Sequence, residues 1–489
     1  MTSLNAQPNS MARGLPALVQ EITTELKPSI LPEDLAHWSE DLETRLHRVQ
    51  QHPEQGLGFI EEQVRQCTLE LQRKVVQRAM QAKADAVDEC CSCCQTPLIE
   101  RKRRVPKTIH AYCGAVQLFR THGWCRKCEQ WVFPADAALG LFDHSTASPL
   151  VQEMCALLVS KMPCEQAEPV ASRVAGIQLS RSTMAREAQR QGERAIQMRQ
   201  EQTAAPVLAP SPMVPATVGS DQPPKPFTLV IQIDSWNIRE RDDWGKTQAR
   251  QKRGKKIERW HWVYTATCFR LEQRCQKGKR RAFITERSYV ATRHGVEPMM
   301  KQLHREALRR GLGRAQRVLV VADGGVWIWN AVQDRYAEAV QRLDLFHANA
   351  YLWAVANQIH GANTAAARQW VKPLLKQVRR DKVLEVISTL EELKPRLSSA
   401  AAQVAATTIE YYRSNQKRMK YVGGKKRGEP VGSGAIESTC RQLQCRMKRC
   451  GQFWSIQGDE ALLCLEIFWR NEHWQLLFPH LSITSLSNN

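Results

Sequence analysis

The chain has 489 residues, enough for two to four domains with a sizeable buried core. Its formal net charge of +21 points to an acidic partner, nucleic acid first and an anionic membrane second. The opening "MTSLNAQPNSMARGLPALVQ" lacks the apolar core of a signal peptide, and no run of about eighteen apolar residues could span a bilayer. The expectation is a cytosolic protein with no membrane partner. Sixteen cysteines would suit a disulfide scaffold in a small secreted chain, but in that reducing setting clustered ones more often bind metal.

Residues 1–88 read as a helical N-terminal region. "HWSEDLETRLHRVQQ" and "GLGFIEEQVRQCTLELQRKVVQRAMQAKADAVDE" place apolar residues at helical spacing among charges. They fit a bundle or an oligomerisation arm and carry no visible chemistry.

Residues 89–145 hold seven cysteines between Cys90 and Cys128. Cys91-x-x-Cys94 and Cys125-x-x-Cys128 flank thirty residues rich in strand formers, the layout of a zinc-ribbon-like module. Four thiolates close a tetrahedral site, which suits structural Zn2+ and leaves no open position for catalysis. Cys90 and Cys93 offer a shifted register, and Cys113 and His122 are possible substitutes.

Residues 146–200 contain a helix ending near Gly176 and a second helix that Ser180 can cap, bearing Arg181, Arg186 and Arg190. This is the layout of a helix-turn-helix whose second helix enters the DNA major groove; an ordinary helical hairpin is the alternative. Seven prolines between residues 201 and 226 then mark an extended linker.

Residues 227–475 read as an α/β domain. "FTLVIQID", "RWHWVYTATCF" and "AFITERSYVATR" are strands, "EPMMKQLHREALRRG" is a helix, and "QRVLVVADGG" is a strand stopping at Asp323. "RLDLFHANAYLWAVANQIH" gives a short strand and a helix, and the following residues to about 422 are helical. That order fits a ribonuclease-H-like sheet. Asp234 and Asp323 close apolar strands at the edge where open α/β sheets bind ligands. Glu437 opens the helix "GSGAIESTCRQLQCRMKRCGQFWS", where the macrodipole favours negative charge. Three convergent carboxylates repel unless a divalent cation neutralises them, and oxygen ligands suit Mg2+ or Mn2+. Two such ions could activate an attacking oxygen and stabilise a leaving one at phosphorus. On the same helix Ile436, Cys440, Leu443 and Met447 form an apolar stripe, while Arg441 and Lys448 lie behind Glu437, placed to follow a DNA backbone. Basic stretches at 245–256 and 274–281 extend that footprint. Trp327 and Trp329 fit either base stacking or packing of a helix on the sheet.

These pieces resemble the DDE transposases of bacterial insertion sequences, close to the ISKra group and akin to Mutator-like enzymes. The matching blocks are the two C-x-x-C knuckles leading to "FPADAALGL", the helix-turn-helix, "IQIDSW", "VADGGVWIWN", "LDLFHANAYL" and the Glu437 block. The resemblance assigns Asp234, Asp323 and Glu437 as catalytic metal ligands and gives Asp344 and His347, a D-x-x-H signature, a supporting role. On the residues alone, Asp344 and His347 serve equally well as a polar pair closing a strand-to-helix turn. The 113 residues between Asp323 and Glu437 then imply an all-helical insertion, about 348–425, in a ribonuclease-H-like catalytic domain. The resemblance further implies double-stranded DNA partners (element ends and target), a dimer or larger assembly on DNA, and a place in the bacterial cytoplasm at the nucleoid. The competing readings are a transposase-derived DNA-binding protein without catalysis, and a nuclease of the same fold that cuts without joining.

Overall fold

A computed structural model describes residues 32–141, 145–204, 226–241, 253–254, 258–276, 279–450 and 452–479. Residues 205–225 of the proline-rich segment, most of the basic stretch 245–256 and residues 277–278 of the other lie outside the described residues. The chain is mixed α/β with two sheets and divides into two compact units, one running to Arg190 and the other covering Gln191–Pro479. The division falls inside the helix Arg181–Ala204.

In the first unit, helices Pro32–Gln51 and Leu57–Asp85 pack together, burying Leu35 and Cys67. Buried Asp34 is held by Lys74 at 3.4 Å and by Arg78. Strands β1 (Ile99–Ala111), β2 (Gly114–Cys125) and β3 (Gln130–Val132) form an antiparallel sheet in that order. Gln81 locks the second helix to β2, donating to Phe119 O at 2.8 Å and accepting from Phe119 N at 2.9 Å. Further on, helix Cys164–Val170 continues through a π turn to Gly176, whose φ of 69° needs glycine's freedom. Ser180 Oγ then accepts from Thr183 N at 3.2 Å, capping Arg181–Ala204 as its position in the sequence anticipates.

The second unit is built on a five-stranded sheet: β4 (Phe227–Arg241), β5 (Glu258–Gln276), β6 (Lys279–Thr292), β7 (Arg317–Ala322) and β8 (Val340–Leu343). The order is β6-β5-β4-β7-β8; β6 with β5 and β5 with β4 pair antiparallel, and β4 with β7 and β7 with β8 pair parallel. Residues 229–233 of β4 are buried on both faces, which is why this strand reads as an unbroken apolar run. One face carries helices Val296–Arg309, Val326–Arg335 and Leu345–His360 on a core including Ile231, Leu303, Ile328 and Leu352. The other carries helix Gly434–Met447, whose Ile436, Cys440, Leu443 and Met447 are all buried, as their spacing anticipates. Between β8 and that helix every regular element is helical, and helices Ala365–Val378, Val383–Leu393 and Ser399–Asn415 extend the sheet's own core.

β4 differs from its expected length. It runs seven residues past Asp234, paired to β5 as far as Arg241↔Glu258, so a two-stranded ribbon extends about 23 Å beyond the ends of β7 and β8. The polar residues Ser235, Asn237 and Arg239 hid this in the sequence. They alternate with buried Trp236, Ile238 and Glu240, the period-two pattern of a strand with one covered face.

Candidate active site and metal centre

Register places the acidic residues. β4 and β7 pair Ile233 with Ala322, and β7 and β8 pair Ala322 with Leu343. The next residues are Asp234, Asp323 and Asp344, so three aspartates stand in one row on three parallel strands about 5 Å apart. Each carboxylate accepts a backbone N–H freed nearby: Asp234 Oδ1 from Ser235 N at 2.6 Å, Asp323 Oδ1 from Gly325 N at 2.9 Å, Asp344 Oδ1 from His347 N at 2.8 Å.

The three differ in what else they can do. Asp344 is fully buried and caps helix Leu345–His360; its second oxygen takes Ser433 Oγ at 2.6 Å and Ser433 N. Burial acts to raise its pKa, but the His347 ring and Ser433 hold it down at about 2. Asp234 and Asp323 remain half-buried and reachable. Burial pushes the Asp234 carboxyl up and the neighbouring Asp323 carboxylate adds to this, against the Ser235 N–H and the Cys440 thiol. Burial is the larger cause and the Asp323 charge the lesser, and a divalent cation bound beside the two carboxylates would oppose both.

Glu437 sits in the first turn of Gly434–Met447, with Oε1 2.8 Å from the Ser433 Oγ that also contacts Asp344. Two residues that the sequence did not single out hold this arrangement. Buried Gln232, on the same face of β4 as Asp234, accepts from Ile436 N at 2.9 Å and donates to Gly432 O at 3.2 Å. One side chain thus fixes the helix bearing Glu437 to the strand bearing Asp234. Ser433, buried, bridges Asp344 and Glu437. The only signal for either was position: two residues before Asp234, and four before Glu437.

Ligand atoms of Asp344, His347 and Glu437 lie within 4.8 Å of one another, and Asp234 and Asp323 bring two more carboxylates to the same edge. Asp344, His347 and Glu437 could hold a metal ion; Asp234 and Asp323 stand at the same edge outside that close group. His347 Nδ1 is 3.4 Å from Asp344 Oδ1, and this partner lifts the ring's pKa to about 9. A folded pKa above the unfolded value of about 6.5 contributes stability fully below that value, lost as pH rises through 9. In metal-free protein the His347 ring should titrate near 9 by NMR, and in Asp344→Asn it should return toward 6.5; an unmoved midpoint would refute the pairing.

Gly324 follows Asp323, and a Cβ there would run into the Tyr411 ring, itself stacked on Tyr351 at 3.8 Å. Gly324→Ala should therefore cost about 2 kcal/mol or more, read as a lowered Tm. A wild-type Tm would show that the helical segment yields freely.

Trp329 is buried and Trp327 packs edge-on against Tyr264 at 5.3 Å, so both serve packing. Arg441 and Lys448 are exposed on the helix that carries Glu437, with Lys448 Nζ 3.2 Å from Asn237 Oδ1. Of the candidate DNA-binding residues of the first unit, Arg181 pairs with Glu168 at 2.6 Å and Arg190 with Glu187 at 2.7 Å. Arg186 is exposed and bonds Thr183 Oγ1 at 3.3 Å.

The first unit contains the second metal-ligand set. Cys91, Cys94, Cys125 and Cys128 converge, with Sγ–Sγ separations of 3.9 Å (Cys91–Cys128) and 3.4 Å (Cys94–Cys125). Thiolates about 2.3 Å from a tetrahedral zinc lie about 3.8 Å apart, whereas a disulfide would bring them to about 2 Å. Thr96, through its hydroxyl and backbone, lowers the Cys94 thiol to about 6, while Cys94 and the other clustered thiols push Cys128 up. The register question is thereby answered: Cys93 is exposed, Cys113 packs with the cluster around Ile109, and His122 is stacked between Trp131 and Phe133.

No protein-family model and no curated relative matches this sequence, so its own arrangement of residues carries the functional reading.

Proposed function

We propose that this protein is a DNA transposase of the DDE type, binding its element ends and catalysing metal-dependent cleavage and strand transfer. The observation that carries the reading is the carboxylate row at the ends of adjacent parallel strands, faced by Glu437 from a helix anchored through Gln232. The sheet order, with three antiparallel strands joined to two parallel ones and a helical segment before the last carboxylate, supports a ribonuclease-H-like catalytic domain.

In this proposal Asp234, Asp323 and Glu437 hold Mg2+ or Mn2+, which when bound supplies the charge that activates a 3′ hydroxyl and stabilises the displaced oxygen. Asp344 and Ser433 set the position of Glu437. Protonated His347, beside the row, offers a hydrogen bond to a phosphate oxygen. The attacking oxygen forms a bond to phosphorus, the opposite P–O bond breaks, and the proton of the hydroxyl leaves to solvent. The four-cysteine module would carry structural Zn2+ as a zinc ribbon, the helices of 146–200 would read element ends as a helix-turn-helix, and at least two copies would pair two ends. The layout 1–88, 89–145, 146–200, 201–226 and 227–475 belongs to the same proposal, as does a bacterial cytoplasmic, nucleoid-associated location. No helix of the described residues is long and apolar enough to cross a membrane.

The test is a strand-transfer assay with purified protein, candidate element-end DNA and Mg2+ or Mn2+. Joined product supports the proposal. Cutting without joining would favour the nuclease reading, and binding with neither would leave a DNA-binding derivative.

A further inference from the structure

The ribbon beyond the carboxylate row has one covered face and one open face. Trp236, Ile238 and Glu240 are buried on the first. On the second, register sets Asn237 opposite Trp262 and Arg239 opposite Trp260. Both tryptophans are unusually open for their size, Trp260 at 55% and Trp262 at 52%. The Arg239 guanidinium lies over the Trp260 ring at 4.9 Å, and Lys448, bonded to Asn237, brings a second cation to the border of this face. The backbone is fixed from the far edge: Trp454 N donates to Arg239 O at 3.1 Å and Arg241 N to Trp454 O at 3.0 Å.

We infer that Trp260 and Trp262 form a stacking platform for unpaired DNA bases on the face of the ribbon opposite to Asp234. Residues two apart on a strand lie on one face about 7 Å apart, which is twice the rise between stacked bases and matches bases splayed from a strand or alternate stacked ones. Single strands are held by aromatic faces joined with cations that follow the backbone, the combination present here. The charge of the joining sequence has the same sense: residues 242–257 hold Lys246, Arg250, Lys252, Arg253, Lys255 and Lys256 against two acids. Asn237 and Trp262 lie three residues from Asp234 and Thr265, about 10 Å along the ribbon, and by alternation they face away from Asp234, which shares the covered face with Trp236. The inference deepens the transposase reading, on which it rests for the identity of the polymer.

The experiment uses the full chain without added divalent cation, so that no DNA is cut. Binding of a labelled oligothymidine of about 20 nucleotides and of a hairpin duplex of similar length is compared by fluorescence anisotropy. Trp260→Ala and Trp262→Ala should each weaken the single strand about tenfold while changing the duplex less than about twofold, and Trp260→Phe should restore most of the loss. Equal losses on both DNAs would reduce the face to a phosphate footprint and overturn the inference. So would unchanged binding of both. Unchanged Tm in each variant guards against misfolding, and if an alanine variant unfolds, Trp260→Phe against Trp260→Thr makes the same comparison. Strand transfer by the wild-type protein is scored separately: joining with no tryptophan effect defeats only this inference, and a tryptophan effect without joining defeats only the transposase assignment.

Discussion

Alanine at Asp234, Asp323 or Glu437 is expected to lower metal-dependent joining of DNA about a thousandfold, with little change in DNA affinity or Tm. The size follows from losing a metal ligand that supplies several kcal/mol of charge stabilisation, at about 1.4 kcal/mol per factor of ten. Folding should tolerate each change because these carboxylates are half-buried, and burial already penalises the ionised Asp234 carboxylate. Asp344 is the control that separates structure from chemistry. It is fully buried and accepts from His347 N, Ser433 N and Ser433 Oγ; Asp344→Ala strands the two backbone N–H groups, the Ser433 hydroxyl keeping Glu437, and should cost about 2 kcal/mol of stability or more. Joining rates and urea unfolding of the four variants decide the matter. If Asp234→Ala or Glu437→Ala joins DNA at the wild-type rate, the catalytic assignment fails.

Zinc removal is expected to unfold the sheet β1–β3. Structural zinc in small domains binds with an apparent free energy of about 10–16 kcal/mol, comparable with the whole stability of a domain. Around Cys91 and Cys125 the buried apolar cluster is small, with Leu98 the remaining fully buried member, so little else holds that end of the sheet. Elemental analysis should find one zinc per chain, lost in Cys125→Ser and kept in Cys93→Ser and Cys113→Ser. Protease cleavage within 90–132 should appear with the loss. Zinc retained at full occupancy by Cys125→Ser would refute the four-thiolate centre.

Much of this architecture was legible along the chain, because burial imposes local patterns. The continuous apolar run of β4 announced a strand covered on both faces, and Ile436, Cys440, Leu443 and Met447 announced the helix that covers it. Asp234 and Asp323, each of which alone could be a turn cap, stood out because they and Glu437 occur in order in a basic context. The paired cysteines stood out through ligand spacing, and the cap at Ser180 through its place after Gly176. Local pattern does not carry register, however. That Asp234, Asp323 and Asp344 share one row depends on how β4, β7 and β8 align, and nothing inside any one strand encodes the offset to another. Nor does sequence spacing distinguish Asp344, turned into a buried helix cap, from Asp234 and Asp323, left open at the same edge.

The composition and spacing of the chain by themselves determined a basic, mixed α/β protein with a cysteine cluster and a set of acidic candidates. Tertiary structure alone decided which four of seven clustered cysteines converge, how Gln232 and Ser433 tie Glu437 to the strands, and that Trp260 and Trp262 face outward while Trp329 is buried. The physical reason is range. Periodicity reports which side of an element is apolar, whereas convergence of ligands and exposure of an aromatic pair are set by which distant segments come to lie beside it.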